Sequence, residues 1–228
     1  MTVLIAGGDS FTYGSELSSQ EHTWANLLAN RKGWNICNTA QPGYSNSAIR
    51  RSVMNAVNEY KDLDLYVAVM WSFSNRYEFR FAYDTGHKET PWYSINPWTP
   101  KNYIQQSHKD NADLKGITKF ADNYVKNVAI EPYWEVYNSW CEIVMLQNYL
   151  VKHNIKYAFM TVDYTIFKPN TVLDKTLKTL IADIDMSKVI DQEGMYTWAK
   201  RTKQKFYKTH PKESAHIEWI NMLYNRIV

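Results

Sequence analysis

The sequence predicts one α/β domain, residues 1–228, built on a doubly wound parallel sheet. The first 71 residues alternate apolar runs with segments of helical periodicity, in the order strand, helix, strand, helix, strand. The strand-like runs are apolar on both faces, which is typical of strands covered by helices on each side. With 228 residues, 45% of them hydrophobic, the chain is long enough to bury the core of such a domain.

The first part of the chain supplies three strands and two helices. Val3–Ala6 is a strand, because four apolar residues in succession fit a segment buried on both faces. Residues 18–30 form a helix with serines at its start and an apolar face, and Trp34–Cys37 is a short second strand. Apolar residues recur at helical spacing over about residues 46–60. Leu65–Trp71 is apolar throughout, which predicts a central strand.

The regular pattern ends at Ser72. Residues at about 73–130 form an insertion rich in aromatic side chains, and long segments of this kind are usually lids or binding loops. The other predicted helices have apolar residues at helical spacing, and the other predicted strands are short apolar runs. Polar residues bound these segments, except that Pro132 begins one of the helices. The segments are helices over about 113–127, 132–153, 173–184 and 213–227, and strands over Lys156–Val162 and Val189–Asp191.

Charge and composition argue against several classes of protein. A net charge of +3 is too small to indicate binding to nucleic acid or to an anionic membrane. Cys37 and Cys141 are expected to be buried free thiols, and the histidines lack the spacing and companions of a metal site. The first strand begins at residue 2 or 3, which leaves no room for a signal peptide, and no apolar run is long enough to span a bilayer.

Gly7-Gly8-Asp9-Ser10 follows the first strand directly, at the edge of the sheet where open α/β folds place their ligands. The two glycines allow a tight turn. A serine in this position presents its hydroxyl as a nucleophile elbow does, although the pattern G-x-S-x-G is absent. The alternative is an ordinary turn in which Asp9 or Ser10 caps a helix.

Ester hydrolysis by a serine needs a nucleophile, a general base and donors for the oxyanion. Ser10 is the candidate nucleophile and His210, just before the last helix, is the candidate base. The backbone N–H of Ser10, the backbone N–H of Gly43 and the Asn75 side chain are candidate oxyanion-hole donors, since each follows a strand. The alternatives are that His210 is an ordinary loop residue with no part in catalysis, and that Gly43 is only a turn glycine.

These residues resemble the sequence blocks of the SGNH (GDSL-type) hydrolases. The matches lie in the family's order and span nearly the whole chain: Gly8–Gly14, Asn38–Gly43, Asn75, and His210-Pro211 with His216. The resemblance implies a three-layer α/β/α, flavodoxin-like fold with about five strands. It also implies esterase, lipase, thioesterase or carbohydrate-deacetylase activity that needs no metal or other cofactor. Within the family, the chain looks most like small divergent members from phage genomes.

The chain departs from the family's pattern in two blocks. The family has an aspartate three residues before the histidine, and this chain has Tyr207 there. The third triad member is therefore missing from its usual place; Asp191, Glu193 or a backbone carbonyl could replace it, or a Ser–His dyad operates. The asparagine block reads Phe73-Ser74-Asn75-Arg76 instead of Gly-x-Asn-Asp, so Ser72 or Arg76 are alternatives to Asn75.

The remaining candidates have structural alternatives. His216, inside the last predicted helix, is expected to be structural, and Arg76 with Glu78 is expected to form a solvated pair. The candidates for substrate binding are Asp9, Trp92 and Trp98. Most aromatic residues of the insertion are expected to pack against one another, with one or two facing the cleft.

The favoured function is a serine esterase acting on a small-molecule or carbohydrate ester, for instance an O-acetyl group. The alternative, motivated by Tyr207, is a catalytically inactive SGNH-fold module that serves in binding or in virion structure. No nucleic-acid or membrane partner is expected, and a virion or homo-oligomeric assembly is the partner considered. The expected location is the cytoplasm, that of a host cell if the protein is phage-encoded, or the virion.

Overall fold

A parallel sheet of four strands lies at the centre of the computed structural model, which describes residues 1–80, 92–97 and 112–227. The described strands are β1 (Thr2–Gly7), β2 (Asn35–Asn38), β3 (Asp64–Trp71), β4 (Tyr77–Arg80), β5 (Trp92–Ile95) and β6 (Lys156–Thr161). The central sheet has the order β2–β1–β3–β6 with every pair parallel. Strands β4 and β5 form a separate antiparallel pair. The carboxyl ends of β1 and β3 therefore meet at one edge of the central sheet.

Helices cover both faces of this sheet. The described α-helices are α1 (Ser10–Tyr13), α2 (Trp24–Lys32), α3 (Asn46–Glu59), α4 (Ala112–Asn127), α5 (Pro132–Lys152), α6 (Lys175–Asp183), α7 (Met195–Arg201) and α8 (Glu213–Leu223). Alternate residues of the strands enter separate cores, because successive side chains of a strand point to opposite faces. Leu4 and Met70 pack with α2, α7 and α8, whereas Ile5 and Val67 pack with α3, α5 and α6. The result is the three-layer α/β/α arrangement predicted from the sequence.

The predicted fifth strand, Val189–Asp191, is reduced to a single bridge. Val189 pairs with Phe159 of β6, held by the Phe159 N–H donating to the Lys188 carbonyl and the Ile190 N–H donating to the Phe159 carbonyl. The chain then turns, and the Asp191 carboxylate accepts the N–H groups of Glu193 and Gly194. The described sheet therefore has four strands instead of about five.

Helix α7 and the β4–β5 pair are among the elements that the sequence did not predict. Helix α7 begins after Gly194, whose φ of +88° and close approach to the Val162 carbonyl suit a glycine. The β4–β5 pair lies inside the aromatic insertion, where Phe79 packs edge-to-face against Tyr124 of α4. Most described rings of the insertion pack in this way, as expected for aromatic side chains.

Helix α8 packs against α2 through a buried histidine. His216 is 1% exposed, and its Nδ1 accepts a hydrogen bond of 3.1 Å from the Trp24 N–H at the start of α2. Burial lowers the pKa of His216 to about 4, so the ring is neutral at neutral pH. This residue supports the fold, as the sequence predicted.

The two cysteines are free thiols, as expected, but they are only half-buried. Burial raises the pKa of Cys37 and of Cys141. None of the helices in the described ranges combines the length and the apolar character that crossing a membrane requires.

Candidate active site

Ser10 is the first residue of α1, directly beyond the carboxyl end of β1. The turn into α1 leaves no room for side chains: a Cβ on Gly8 would lie 2.0 Å from Thr12 Oγ1, and one on Gly7 would lie 2.4 Å from Val53 Cγ2. Asp9 caps the helix, since its Oδ1 accepts the Phe11 N–H at 3.0 Å. This packing fixes Ser10 at the sheet edge, where it is 7% exposed.

His210 lies in the loop between α7 and α8 and faces Ser10. Its Nε2 is 2.8 Å from Ser10 Oγ, although the two residues are 200 positions apart in the chain. The imidazole packs against the Phe11 ring, with ring centroids 5.0 Å apart. The structure thus brings the predicted nucleophile and the predicted base within hydrogen-bond reach.

The other ring nitrogen of His210 faces a residue that the sequence did not single out. Nδ1 lies 2.9 Å from Thr209 Oγ1 and 3.5 Å from Glu16 Oε2. The Glu16 carboxylate also accepts the backbone N–H groups of Thr209 and His210, each at 3.1 Å, and the Thr209 hydroxyl at 3.1 Å. Burial acts to raise the pKa of Glu16, but these hydrogen bonds outweigh it and lower the pKa. Glu16 is therefore ionised at neutral pH.

The residues proposed from the sequence as the third triad member lie elsewhere. Asp191 accepts the N–H of Gly194 at 2.8 Å and of Glu193 at 3.3 Å, so it stabilises the turn before α7. Burial raises the pKa of Asp191 to about 6. Glu193 forms an ion pair with Arg201. Tyr207, three residues before His210, donates its hydroxyl to Glu213 at 2.9 Å.

Asp9 is held in a buried ion pair. Its side chain is fully shielded from solvent, and Oδ2 accepts from Arg76 Nη1 at 2.8 Å and from Ser72 Oγ at 2.6 Å. Asp9 was expected to bind substrate and Arg76 to form a solvated pair with Glu78, and both expectations are wrong. Glu78 pairs instead with Arg51, at 2.6 Å. The Asp9–Arg76 pair ties the start of α1 to the loop after β3.

The other candidate oxyanion donors lie in two loops beyond strand ends. Gly43 follows β2 in a turn with a φ of +84°, and nothing lies within 4 Å of a Cβ built there. Asn75 follows β3, and its Oδ1 is buried without a hydrogen-bond partner in the described part of the chain. Ser72 and Arg76, the alternatives to Asn75 as oxyanion donors, both donate hydrogen bonds to Asp9.

Of the aromatic candidates, Trp92 in β5 is 45% exposed and stacks with the Arg51 guanidinium, 4.7 Å from its carbon to the ring centre. Trp98 lies outside the described residues. Within residues 1–80, 92–97 and 112–227, no group of three or more His, Cys, Asp or Glu side chains is arranged to hold a metal ion.

Residues 12–222 match a family model described as "Family of unknown function (DUF6071)". Comparison with curated proteins finds no match. Solved structures of similar fold include the psychrotrophic esterase EstA of a Pseudoalteromonas species, with 13% identity over 99% of this chain and 96% of that one, at a TM-score of 0.53.

Two further solved structures are similar. The acetylxylan esterase Axe2 of Geobacillus stearothermophilus is 9% identical over 99% of this chain and 93% of that one, at a TM-score of 0.51. A member of the lipolytic G-D-S-L family from Veillonella parvula is 15% identical over 99% and 97%, at a TM-score of 0.50. At these identities the likeness shows the fold, which is that of SGNH hydrolases. The predicted fold class is confirmed.

Proposed function

Because the chain belongs to the DUF6071 family, whose function is unknown, we propose a function from the geometry of the site: the protein is a serine esterase. The observation that carries the proposal is the 2.8 Å contact between Ser10 Oγ and His210 Nε2 at the carboxyl edge of the sheet. A serine hydroxyl becomes a useful nucleophile when an adjacent base can take its proton. The fold shared with known esterases supports the same conclusion.

The reaction follows from the two side chains. Ser10 Oγ forms a bond to the carbonyl carbon of the ester while its proton passes to His210 Nε2. The imidazolium returns that proton to the leaving alcohol oxygen as the carbon–oxygen bond breaks, which leaves an acyl ester on Ser10. A water molecule then gives a proton to Nε2 and adds to the acyl carbon. Collapse of this second intermediate releases the acid and restores the serine hydroxyl.

The charge on the carbonyl oxygen needs donors aimed at it. The Ser10 N–H, the Gly43 N–H and the Asn75 amide are the proposed donors. Asn75 suits this role because, among the described residues, its side chain forms no hydrogen bond that would compete for it. Loss of one such donor typically slows an esterase about 10²- to 10³-fold.

As substrate we propose an acyl ester with a small acyl group, such as an O-acetyl group on a carbohydrate. The exposed ring of Trp92 offers a surface of the kind on which sugars stack. A protein of the same fold, Axe2, is described as an acetylxylan esterase. The substitution Trp92→Ala should raise KM for an acetylated oligosaccharide and leave hydrolysis of a small aryl acetate unchanged.

The competing function is an inactive SGNH-fold module, with a role in a phage virion as its specific form. Tyr207 at the family's aspartate position favours it. The position of Glu16 weakens this argument, because a carboxylate reaches the histidine from another part of the chain.

Hydrolysis of p-nitrophenyl acetate and labelling by a fluorophosphonate probe test the proposal. Wild type should turn over the ester and react at Ser10, and Ser10→Ala and His210→Ala should each lose about 10⁴-fold or more in kcat. His153 is exposed and caps the carboxyl end of α5, so His153→Ala is a matched control and should leave the activity unchanged. Wild type that neither hydrolyses the ester nor takes up the probe would favour the inactive module.

A further inference from the structure

We infer that Glu16, acting through the Thr209 hydroxyl, is the residue that positions and polarises His210, in place of the aspartate that Tyr207 replaces. The inference rests on the proposed esterase function. It assigns the orienting carboxylate to the loop after α1, so that nucleophile and carboxylate come from one short stretch of chain, Ser10 to Glu16. The base that they share comes from a loop 194 positions beyond Glu16.

The directions of the hydrogen bonds follow from the number of protons available. An ionised carboxylate only accepts, so the 3.1 Å contact between Thr209 Oγ1 and Glu16 Oε1 uses the single hydroxyl hydrogen of Thr209. In the 2.9 Å hydrogen bond between Thr209 Oγ1 and His210 Nδ1, the histidine must then be the donor and the hydroxyl oxygen the acceptor. Nδ1 therefore carries the proton of the neutral ring. Nε2 is left with a lone pair facing Ser10 Oγ, as a general base requires.

Glu16 also stabilises the charged ring. When His210 takes the proton of Ser10, both ring nitrogens carry hydrogen, and Glu16 Oε2 lies 3.5 Å from Nδ1. Glu213 does not take this role: its carboxylate accepts from Tyr207 and from Ser18, and in the described part of the chain no hydrogen bond or ion pair joins it to His210. The buried His216 beneath the site is neutral and adds no charge.

The backbone of Glu16 is itself unusual. Its φ is +69°, in the left-handed region that residues other than glycine rarely adopt. Strained backbone of this kind persists where surrounding contacts fix it, and it occurs often at functional sites. Here the contacts are the two backbone N–H groups that Oε2 accepts.

The decisive substitution is Glu16→Gln. The amide oxygen must take the Oε2 position, where two backbone N–H groups donate, which places the NH₂ group against Thr209 Oγ1. The amide then donates to the hydroxyl, and the hydroxyl hydrogen, no longer held by a carboxylate, is free to donate to Nδ1, which is the arrangement we expect. The proton moves to Nε2, where it faces Ser10 Oγ and prevents general-base action. The loop remains anchored, so the fold should be unaffected.

Two readouts follow, one of which does not depend on activity. The ¹⁵N shifts of the His210 ring distinguish a protonated from an unprotonated nitrogen, and they should change from the Nδ1–H form in wild type to the Nε2–H form in Glu16→Gln. Labelling of Ser10 by a fluorophosphonate should slow about 10²- to 10⁴-fold. Glu213→Gln, the matched control in the same cluster, should leave the ring form and the labelling rate unchanged. An Nδ1–H ring in Glu16→Gln, or labelling as fast as in wild type, would overturn the inference.

Thr209 provides an independent test if Glu16→Gln should fail to fold. Thr209→Ser keeps the hydroxyl and should label at the wild-type rate, whereas Thr209→Val keeps the shape and should label more slowly. Equal rates in the two variants would contradict the role of the hydroxyl. Failure of wild type to react with the probe would instead count against the esterase function, while the ¹⁵N result would still decide the hydrogen-bond directions.

Discussion

The buried ion pair between Asp9 and Arg76 gives the most direct test of how the site is held together. Asp9 is completely buried, and it has three donors: the Phe11 N–H, the Ser72 hydroxyl and Arg76. The substitution Arg76→Met removes the positive charge and keeps most of the apolar volume. We expect it to leave an unpaired carboxylate in the core beneath Ser10.

The magnitude follows from the burial of the pair. Breaking a buried pair by removing one partner typically costs about 3–5 kcal/mol, and the contact of Arg76 with the Phe73 ring adds roughly 0.5–1 kcal/mol. The matched control is Arg201→Met. Its pair with Glu193 is at the surface, with the Arg201 side chain 62% exposed, so its loss should cost far less than the loss of the buried pair.

Guanidinium chloride unfolding followed by tryptophan fluorescence measures both variants and the double-mutant cycle with Asp9→Asn. Asparagine keeps an oxygen to cap α1, so Arg76→Met should cost much less in that background. The coupling free energy should then be about 2–3 kcal/mol. If the two substitutions add to within about 0.5 kcal/mol, or if Arg76→Met costs no more than Arg201→Met, the reasoning is refuted.

Three further predictions concern stability. The pKa of His216 is lowered from 6.5 to about 4, so the unfolded chain takes up a proton first as the pH falls; the contribution of His216 to stability should fall by about 3 kcal/mol between pH 6.5 and 4, and in urea titrations across that range the stability of His216→Asn should decrease less than that of wild type. The pKa of Asp191 is raised from 3.8 to about 6, so its effect on stability has the opposite sign to that of His216. The contribution of Asp191 to stability is present below pH 3.8 and is lost as the pH rises toward 6. Asp191→Asn should therefore remove this decrease in stability with rising pH and leave fluorophosphonate labelling unchanged. Gly8→Ala should cost about 1–3 kcal/mol in thermal unfolding, because its Cβ would lie 2.0 Å from Thr12 Oγ1, and should also slow labelling of Ser10; a stable, fully reactive variant would contradict the tight turn.

The sequence predicted the fold where local patterns carry enough information. The strands at Val3–Ala6 and Leu65–Trp71 are apolar on both faces, and this alone places them in the middle of a covered sheet. Val189 and Ile190 are apolar as well, but only Val189 pairs with β6. The turn that follows, which Asp191 holds, ends the pairing after one residue, and a pattern of apolar residues does not predict where such a turn begins.

At the site too, the residues within local motifs were predicted and those that depend on distant contacts were not. Ser10 and His210 carry recognisable motifs, and the structure brings them together. Glu16 has no such signal, because its role depends on a contact with a residue 194 positions away. Asp9 was misjudged for a related reason: a carboxylate next to the nucleophile suggests a cleft residue, and only the position of Arg76 shows that it is buried.

The contact between Ser10 and His210 has a consequence for the order of events in folding. A contact that closes a loop of about 200 residues carries a larger loop-closure entropy than local helices or neighbouring strands do. We therefore expect His210 to dock against Ser10 only after most of the sheet has formed. In refolding experiments, the proposed esterase activity should return later than the tryptophan signal of the core. A nascent or partly unfolded chain would then carry an unactivated serine, which limits unwanted acylation before the native state is complete.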